Sequence, residues 1–249
     1  MKIASWNVNG IRARIDHVVS WIKEHEPDVL SLQETKVIDD LFPYEAFESL
    51  SYSVQAFGQK SYNGVANITK LASEDTKRGI TGFEDPQTRV ISSTHNGVRI
   101  INVYVPNGQA VGTEKFSYKL EWLEHLKKML KNDLSNYPKT VVLGDFNIAP
   151  KDEDIHDPEE WKDKILCSDL ERSAYQEIMS LGFHDSFRIF EKEAGFHSWW
   201  DYRAAAYRRN DLVLVSEELK SQCVNGYIDE KPRSLEKPSD HTPVVVEIN

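Results

Sequence analysis

Thr140-Val-Val-Leu-Gly-Asp-Phe-Asn-Ile-Ala-Pro150 is the stretch on which the reading of this chain turns. Val141, Val142 and Leu143 form a short run of β-branched and aliphatic residues, the pattern of a buried strand. The run stops at Gly144, and beyond it stand an acid, Asp145, and an amide, Asn147. Two residues apart in an extended segment, these side chains point to the same side. A carboxylate so placed can take a proton from a water that the amide holds in line with a target. Asp and Asn also favour turns, so this stretch alone is equally the plain end of a strand. Other strands decide between the two readings.

Working outward, the same pattern recurs. Lys2 to Trp6 reads as a strand that runs into Asn7, and Val29 to Leu32 as one that runs into Glu34. Val98 to Val105 forms a hairpin with Arg89 to Ser93 and delivers Tyr104 and Asn107. Two further strands begin with polar residues: Asp211 precedes Leu212–Val215, and Asp240-His241 precedes Val244–Val246. Antiparallel neighbours set the start of one strand beside the end of the next. A mixed, mostly antiparallel arrangement therefore gathers Asn7, Glu34, Tyr104, Asn107, Asp145, Asn147, Asp211, Asp240 and His241 at one rim. A lone acid at a strand end is most often solvated; so many converging at once is not what a solvated surface provides.

Length and composition bound the rest. At 249 residues the chain suits a single α/β domain, and no linker, repeat or low-complexity tract divides it. The start runs straight into Lys2-Ile-Ala-Ser-Trp-Asn7 with no secretory pattern. No apolar run approaches the ~20 residues that cross a bilayer, so no membrane role and a cytoplasmic location are expected. Cys167 and Cys223 are far apart and lack C-x-x-C spacing; they read as reduced thiols, with pairing to each other as the alternative. The formal net charge of −10 argues against a protein that coats nucleic acid, but not against a local basic patch or bound metal ions.

Between these strands, Ile11, Ile15, Val18, Val19 and Ile22 mark the buried face of a first helix. A long helix spans about Thr113 to Asn132, and another lies near Leu170 to Leu181. Lys115 and Lys119 occupy the first turns of the long helix, where the macrodipole favours acids; solvation is the expected state of both, with a phosphate-facing role as the alternative. Asn67 within the Val65-Ala66 strand is expected at an edge, and the sequon that it begins is discounted. Phe196 to Arg203 is an aromatic patch that ends in a cation, suited to stacking on bases or sugars but also to a core.

The gathered set has a definite chemistry. Glu34 and Asp240 offer hard oxygen ligands, with no thiolate and one imidazole nearby, which favours Mg²⁺ or Mn²⁺ over zinc. Asp145 can serve as general base and Asn147 can orient the water. Asp211 can fix the tautomer of His241 and raise its pKa, and Tyr104 and Asn107 can donate to phosphate oxygens. Metal-assisted phosphodiester hydrolysis uses every member.

Trp6-Asn-Val-Asn-Gly10, Leu32-Gln-Glu-Thr-Lys36, Asn102-Val-Tyr-Val-Pro-Asn-Gly108, Gly144-Asp-Phe-Asn-Ile-Ala-Pro150, Trp199-Trp-Asp-Tyr-Arg203 and Lys237-Pro-Ser-Asp-His-Thr-Pro-Val244 resemble the exonuclease III family of DNA-repair nucleases, in order and over nearly the whole chain. The resemblance implies one four-layer αββα sandwich over 1–249, Mg²⁺ dependence (Mn²⁺ substituting), and a monomer. It also implies incision of double-stranded DNA 5′ to abasic sites, or processing of blocked 3′ ends. It places Asn7, Glu34, Asp145, Asn147 and Asp240 at or beside the metal. Tyr104, Asn107 and His241 fall at the phosphate, and Asp211 behind His241. Arg12, Lys36, Lys115, Trp199, Trp200, Tyr202, Arg203 and Arg208 are expected around the DNA. Alternatives are a less specific deoxyribonuclease I-like phosphodiesterase and a DNA-binding protein with a weakened site.

One departure stands out. The family carries a Gly-Leu-Arg-Ile-like stretch into the aspartate matched by Asp211; here Arg208-Arg209-Asn210 runs directly into Asp211, with about five residues of the family pattern missing, among them the apolar residue that the resemblance places at the wall of the abasic-site pocket. The expected result is a wider or incomplete abasic-sugar pocket and a larger share of 3′-end activity, unless Tyr207 or Arg209 folds in as the missing wall.

Overall fold

The computed structural model of the chain describes residues 1–201 and 206–249. Its strands, in chain order, are β1 (Lys2–Asn7), β2 (Val29–Gln33), β3 (Ser53–Phe57), β4 (Val65–Thr69), β5 (Glu74–Arg78), β6 (Val90–His95) and β7 (Val98–Tyr104). They continue with β8 (Thr140–Asp145), β9 (Phe183–Asp185), β10 (Trp199–Asp201), β11 (Ala206–Arg208), β12 (Asp211–Ser216), β13 (Cys223–Ile228) and β14 (Val244–Ile248). One six-stranded sheet runs β13-β14-β1-β2-β4-β3, the other β5-β6-β7-β8-β12-β9, and β10-β11 is a separate ribbon. Among the described residues, β1/β2 and β7/β8 pair parallel and the other strand pairs are antiparallel.

Three apolar layers make this a four-layer αββα sandwich. Ile3, Val29, Ile100, Val141, Leu143, Val213 and Val246 fill the space between the sheets. Trp6, Leu30, Leu32 and Ala66 face the other way, onto Val18, Trp21 and Ile22 of α1 (Ile11–His25) and Phe47 of α2 (Tyr44–Glu48). Val103, Val142, Leu212 and Leu214 take Trp122, Leu126 and Leu130 of α3 (Glu114–Asn136) on the opposite outer face. Alternation along the central strands thus feeds both faces of each sheet, as buried sheets require. Thr113 caps α3 by accepting the Phe116 N–H, which supports the start expected for that helix.

The layer between the sheets also carries a hydrogen-bonded polar seam. Gln33 Nε2 donates to Asn102 Oδ1 at 2.8 Å, and Asn102 Nδ2 donates to the carbonyls of Leu32 and Ala66. Asn67, expected at an edge, is fully buried in β4. It accepts from Ser31 Oγ at 2.8 Å and donates to Ser93 Oγ at 3.0 Å, which satisfies its amide and removes the sequon from reach. Partnered on both sheets, such groups favour one register over a slipped one.

Strand β8 does not stop at Gly144 but runs through it to Asp145. Parallel pairing with β7 sets Tyr104 beside Asp145, antiparallel pairing with β12 sets Asp211 beside Asp145, and β1/β2 pairing sets Asn7 beside Gln33, next to Glu34. Gly144 makes this approach possible: its φ is +147°, and a Cβ there would lie 1.8 Å from the Val103 carbonyl oxygen. Gly144→Ala is expected to cost about 4 kcal/mol or more, or to prevent folding. Gly79→Ala, also at positive φ but with nothing within 4 Å of its Cβ, should cost about 1 kcal/mol. Urea denaturation of the two variants checks the contrast; equal losses would refute it.

Candidate active site

Asp145 lies at the centre of the rim and is fully buried. Its Oδ1 accepts the Asn147 backbone N–H at 2.9 Å and Asn210 Nδ2 at 3.1 Å. Its Oδ2 accepts Asn7 Nδ2 at 3.0 Å and Asn147 Nδ2 at 3.3 Å. Burial pushes its pKa up, Asp211 and Glu34 add to that, and His241 opposes it. Asn7 bridges the two sheets, because the same nitrogen donates to Glu34 Oε1 at 2.9 Å. The local backbone explains how these side chains are aimed. Asn9, Glu34, Lys36 and Asn147 all take positive φ, between 46° and 56°, just beyond their strands. That conformation costs a non-glycine residue about 1 kcal/mol or more and persists where the surroundings fix it.

His241 and Asp211 form the second half of the centre. Both carboxylate oxygens of Asp211 lie against His241 Nδ1, at 2.8 and 3.0 Å, and Ser198 Oγ donates to Asp211 at 2.7 Å. Burial works against a charged imidazole, yet the carboxylates of Asp211 and Asp145 outweigh it and push His241 up to about 10. The other ring nitrogen stands 3.8 Å from Asp145 Oδ2. Tyr104 is kept a neutral phenol: burial, Glu34 and Asp145 raise its pKa well above the usual value. Arg89 holds it from behind, its guanidinium 4.7 Å from the ring centroid and bonded to the Tyr104 carbonyl at 3.0 Å.

Ligand atoms of Glu34, Asp145 and His241 all lie within 4.8 Å of one another. Charge argues that a cation belongs with the two acids, because His241 already holds its proton. Glu34 remains low in pKa: burial raises it, but Lys36 at 2.9 Å and Asn7 prevail. Asn7 meets the cluster through its amide nitrogen, and its oxygen accepts the Asn9 N–H. Asp240 stands one shell away, accepting from Asn9 Nδ2 at 2.8 Å and Trp199 Nε1 at 3.2 Å. Oxygen donors of this kind fit a hard divalent ion.

Asn107 joins the centre through Asn147, its Nδ2 donating to Asn147 Oδ1 at 3.1 Å. Lys115 is exposed and lines a cleft of about 460 Å³ together with Asn107, Arg89 and Tyr62. Arg12 is exposed, whereas Lys36 is turned inward onto Glu34 and Asn9. Lys119 overturns its expected solvation. It is fully buried, paired with Glu171, and holds the Asn107 and Asn147 carbonyls at 3.2 and 2.6 Å. Placed one and two turns inside α3, it points into the protein because those two carbonyls and Glu171 need a cation.

Trp199 lies beside His241, with ring centroids 6.4 Å apart. Trp200 lies beneath Arg233. Tyr202 and Arg203 fall outside the described residues. Arg208 is buried between Trp161 and Trp199, 3.4 and 4.9 Å from their ring centroids. Tyr207 pairs with Trp200 across β10 and β11 and packs on His156 and His197, and Arg209 is pinned by Asp154 and Asp185, each at 2.7 Å. Asn210, Ser198, Arg89 and Lys119 are parts of the site that sequence reasoning did not assign. A polar residue directly before Asp211 was the one signal for Asn210.

The model of the endonuclease/exonuclease/phosphatase family matches residues 4–241. The chain belongs to this family. It is 38% identical to exodeoxyribonuclease III of Haemophilus influenzae, over 99% of each chain. The structure of the 3′ phosphatase NExo from Neisseria bound to a product DNA hairpin superposes with a TM-score of 0.98 at 40% identity, covering 100% of this chain and 99% of the other. An AP endonuclease from Archaeoglobus fulgidus gives 0.96 at 37% identity, over 100% and 99%. At this identity over full length, the family member is a nuclease hydrolase.

A pH dependence follows from the His241–Asp211 pair. An imidazole that holds its proton more tightly folded than unfolded contributes stability that is complete below about 6.5, the unfolded value. That contribution is lost as pH rises toward about 10. Metal-free protein should therefore lose stability over this window, and Asp211→Asn should flatten the slope. Urea midpoints at stepped pH measure it; the same slope in both proteins would refute the pairing.

Proposed function

We propose that this chain is a Mg²⁺-dependent DNA repair nuclease that breaks P–O3′ bonds in duplex DNA, with 3′-end processing dominant over incision at internal abasic sites. The observation that carries the hydrolytic reading is the convergence of Glu34, Asp145 and the Asp211–His241 pair at the rim between the two sheets. The relatives' names, spanning a 3′ phosphatase and an AP endonuclease, support the same bond in different contexts.

Each group then has a task. Glu34 and Asp145 would hold the ion, which when bound supplies positive charge to a phosphoryl oxygen. Asp145 is the acceptor for the proton of the attacking water, its carboxylate fixed in place by the N–H groups of Asn7, Asn147 and Asn210. Protonated His241, fixed by Asp211, points its free N–H toward the same space and stabilises charge that grows on the phosphoryl group. Tyr104, kept a neutral phenol, and Asn107 would donate to phosphate oxygens. Arg12 and Lys115 remain solvent-facing to meet the backbone, which suits an acidic chain that must grip DNA locally.

The 3′-end preference rests on Arg208. Where an apolar wall beside Trp199 would leave room for a sugar turned out of the duplex, the guanidinium stacked between Trp161 and Trp199 fills it. The pocket is therefore occupied rather than widened. A terminal 3′ phosphate or nucleotide needs no such room.

End-labelled duplexes with a 3′ phosphate, a plain 3′-OH or an internal abasic site, with and without Mg²⁺, provide the test. Cleavage is expected at the two 3′ ends, weaker at the abasic site, and abolished by EDTA. Abasic incision faster than both 3′-end reactions would overturn the preference. Asp145→Asn should lower turnover about 10²–10⁴-fold with DNA binding little changed. Near wild-type turnover would sink the role given to Asp145.

A further inference from the structure

Four amide side chains surround Asp145 or are linked to it, and three have both ends engaged. Asn147 accepts from Asn107 through Oδ1 and donates through Nδ2 to the Val105 carbonyl and to Asp145. Asn7 accepts from the Asn9 N–H and donates to Glu34 and Asp145. Asn107 accepts from the Gln109 N–H and donates to Asn147. Asn210 differs. It is 1% exposed, its Nδ2 donates to Asp145 Oδ1 at 3.1 Å, and its Oδ1 is buried with no partner among the described residues.

The orientation of that amide follows from chemistry. An ionised carboxylate only accepts, so the end of Asn210 that meets Asp145 is its NH₂, and the oxygen is left free beside the base. The backbone holds it there. The Asn210 N–H donates to Ser198 Oγ at 3.3 Å, its carbonyl accepts the Phe146 N–H at 2.8 Å, and the next residue is Asp211. A buried acceptor without a partner costs about 1–3 kcal/mol, a cost removed when a donor arrives. The donor that must arrive next to Asp145 in a hydrolysis is water.

We infer that Asn210, rather than Asn147, orients the attacking water at Asp145. One O–H of the water is held by Asn210 Oδ1 while the other faces Asp145. The water oxygen forms a bond to phosphorus, and its proton passes to Asp145. The P–O3′ bond breaks with its electron pair going to O3′, which takes a proton from solvent. Asn147 is left as the brace that ties Asn107 to Asp145. This assignment rests on the hydrolytic reading above and adds a residue to it.

Asn210→Leu, which keeps the volume, and Asn210→Ala test it. Single-turnover rates with Mg²⁺ are compared on the 3′-phosphate, 3′-OH and abasic duplexes, alongside DNA Kd in EDTA and urea midpoints. The expected result is a fall in rate of about 10²-fold, by one common factor on every substrate that wild type cleaves, with Kd unchanged. Unchanged rates overturn the inference and leave the nuclease reading intact. A fall that differs between substrates also overturns it, since Asn210 would then be reading the sugar. A loss of rate matched by loss of DNA binding or of folding in both variants makes Asn210 structural and overturns it as well. Wild-type protein inert on all three duplexes removes the hydrolytic reading, and the inference with it.

Discussion

Two carboxylates buried against each other are the constraint on which this structure depends. Asp145 and Asp211 are paired residues in the register of β8 and β12, both without solvent contact. Removing each charge from water costs several kcal/mol even after relaxation. Asp145 recovers part through four N–H contacts, from the Asn147 backbone and the amides of Asn7, Asn147 and Asn210. Asp211 is met by Ser198 and by the imidazolium of His241. Glu34 then brings a further negative charge across from the other sheet, with one lysine, Lys36, to offset it. Acidic charge still exceeds basic charge at the centre, and that excess is what a divalent cation would relieve.

The sandwich is arranged to hold this charge in place. Parallel pairing of β1 with β2 and of β7 with β8 delivers four strand ends to one rim, and β12 returns antiparallel to add its start. Gly144 lets β8 approach β7 closely enough for Tyr104 and Asp145 to be neighbours. Behind the rim, the Lys119–Glu171 pair joins α3 to α4 (Asp169–Met179) and fixes the backbone of Asn107 and Asn147. Breaking such a buried pair typically costs 3–5 kcal/mol, so the helices outside the sandwich also set the geometry within it.

Much of this was legible from strand ends. The apolar runs before Asn7, Glu34, Asp145 and after Asp211 carried the sheet order's main consequence, because alternation and β-branching are strong signals in buried strands. What stayed hidden has physical causes. β5 reads Glu-Asp-Thr-Lys-Arg and is exposed throughout, an edge strand with no apolar face to announce it. Lys119 and Asn67 carry polar side chains whose burial depends on partners far along the chain, Glu171, Ser31 and Ser93. Asn210 was visible only as the residue that the shortened approach sets directly before Asp211, but its bond to Asp145 depends on a register that only the folded sheet supplies. The stacking of Arg208 on Trp161 and Trp199 was likewise out of reach, since these residues meet only through tertiary packing.

Binding of a divalent cation by the acids at this rim is what the proposed function most requires. Crystals of the protein soaked in Mn²⁺ test it most directly through anomalous scattering. The expected result is a peak between the carboxylates of Glu34 and Asp145, absent from the Glu34→Gln variant grown and soaked in the same way. No peak there in wild-type crystals whose carboxylates are ordered, or a peak that survives the substitution unchanged, would contradict it.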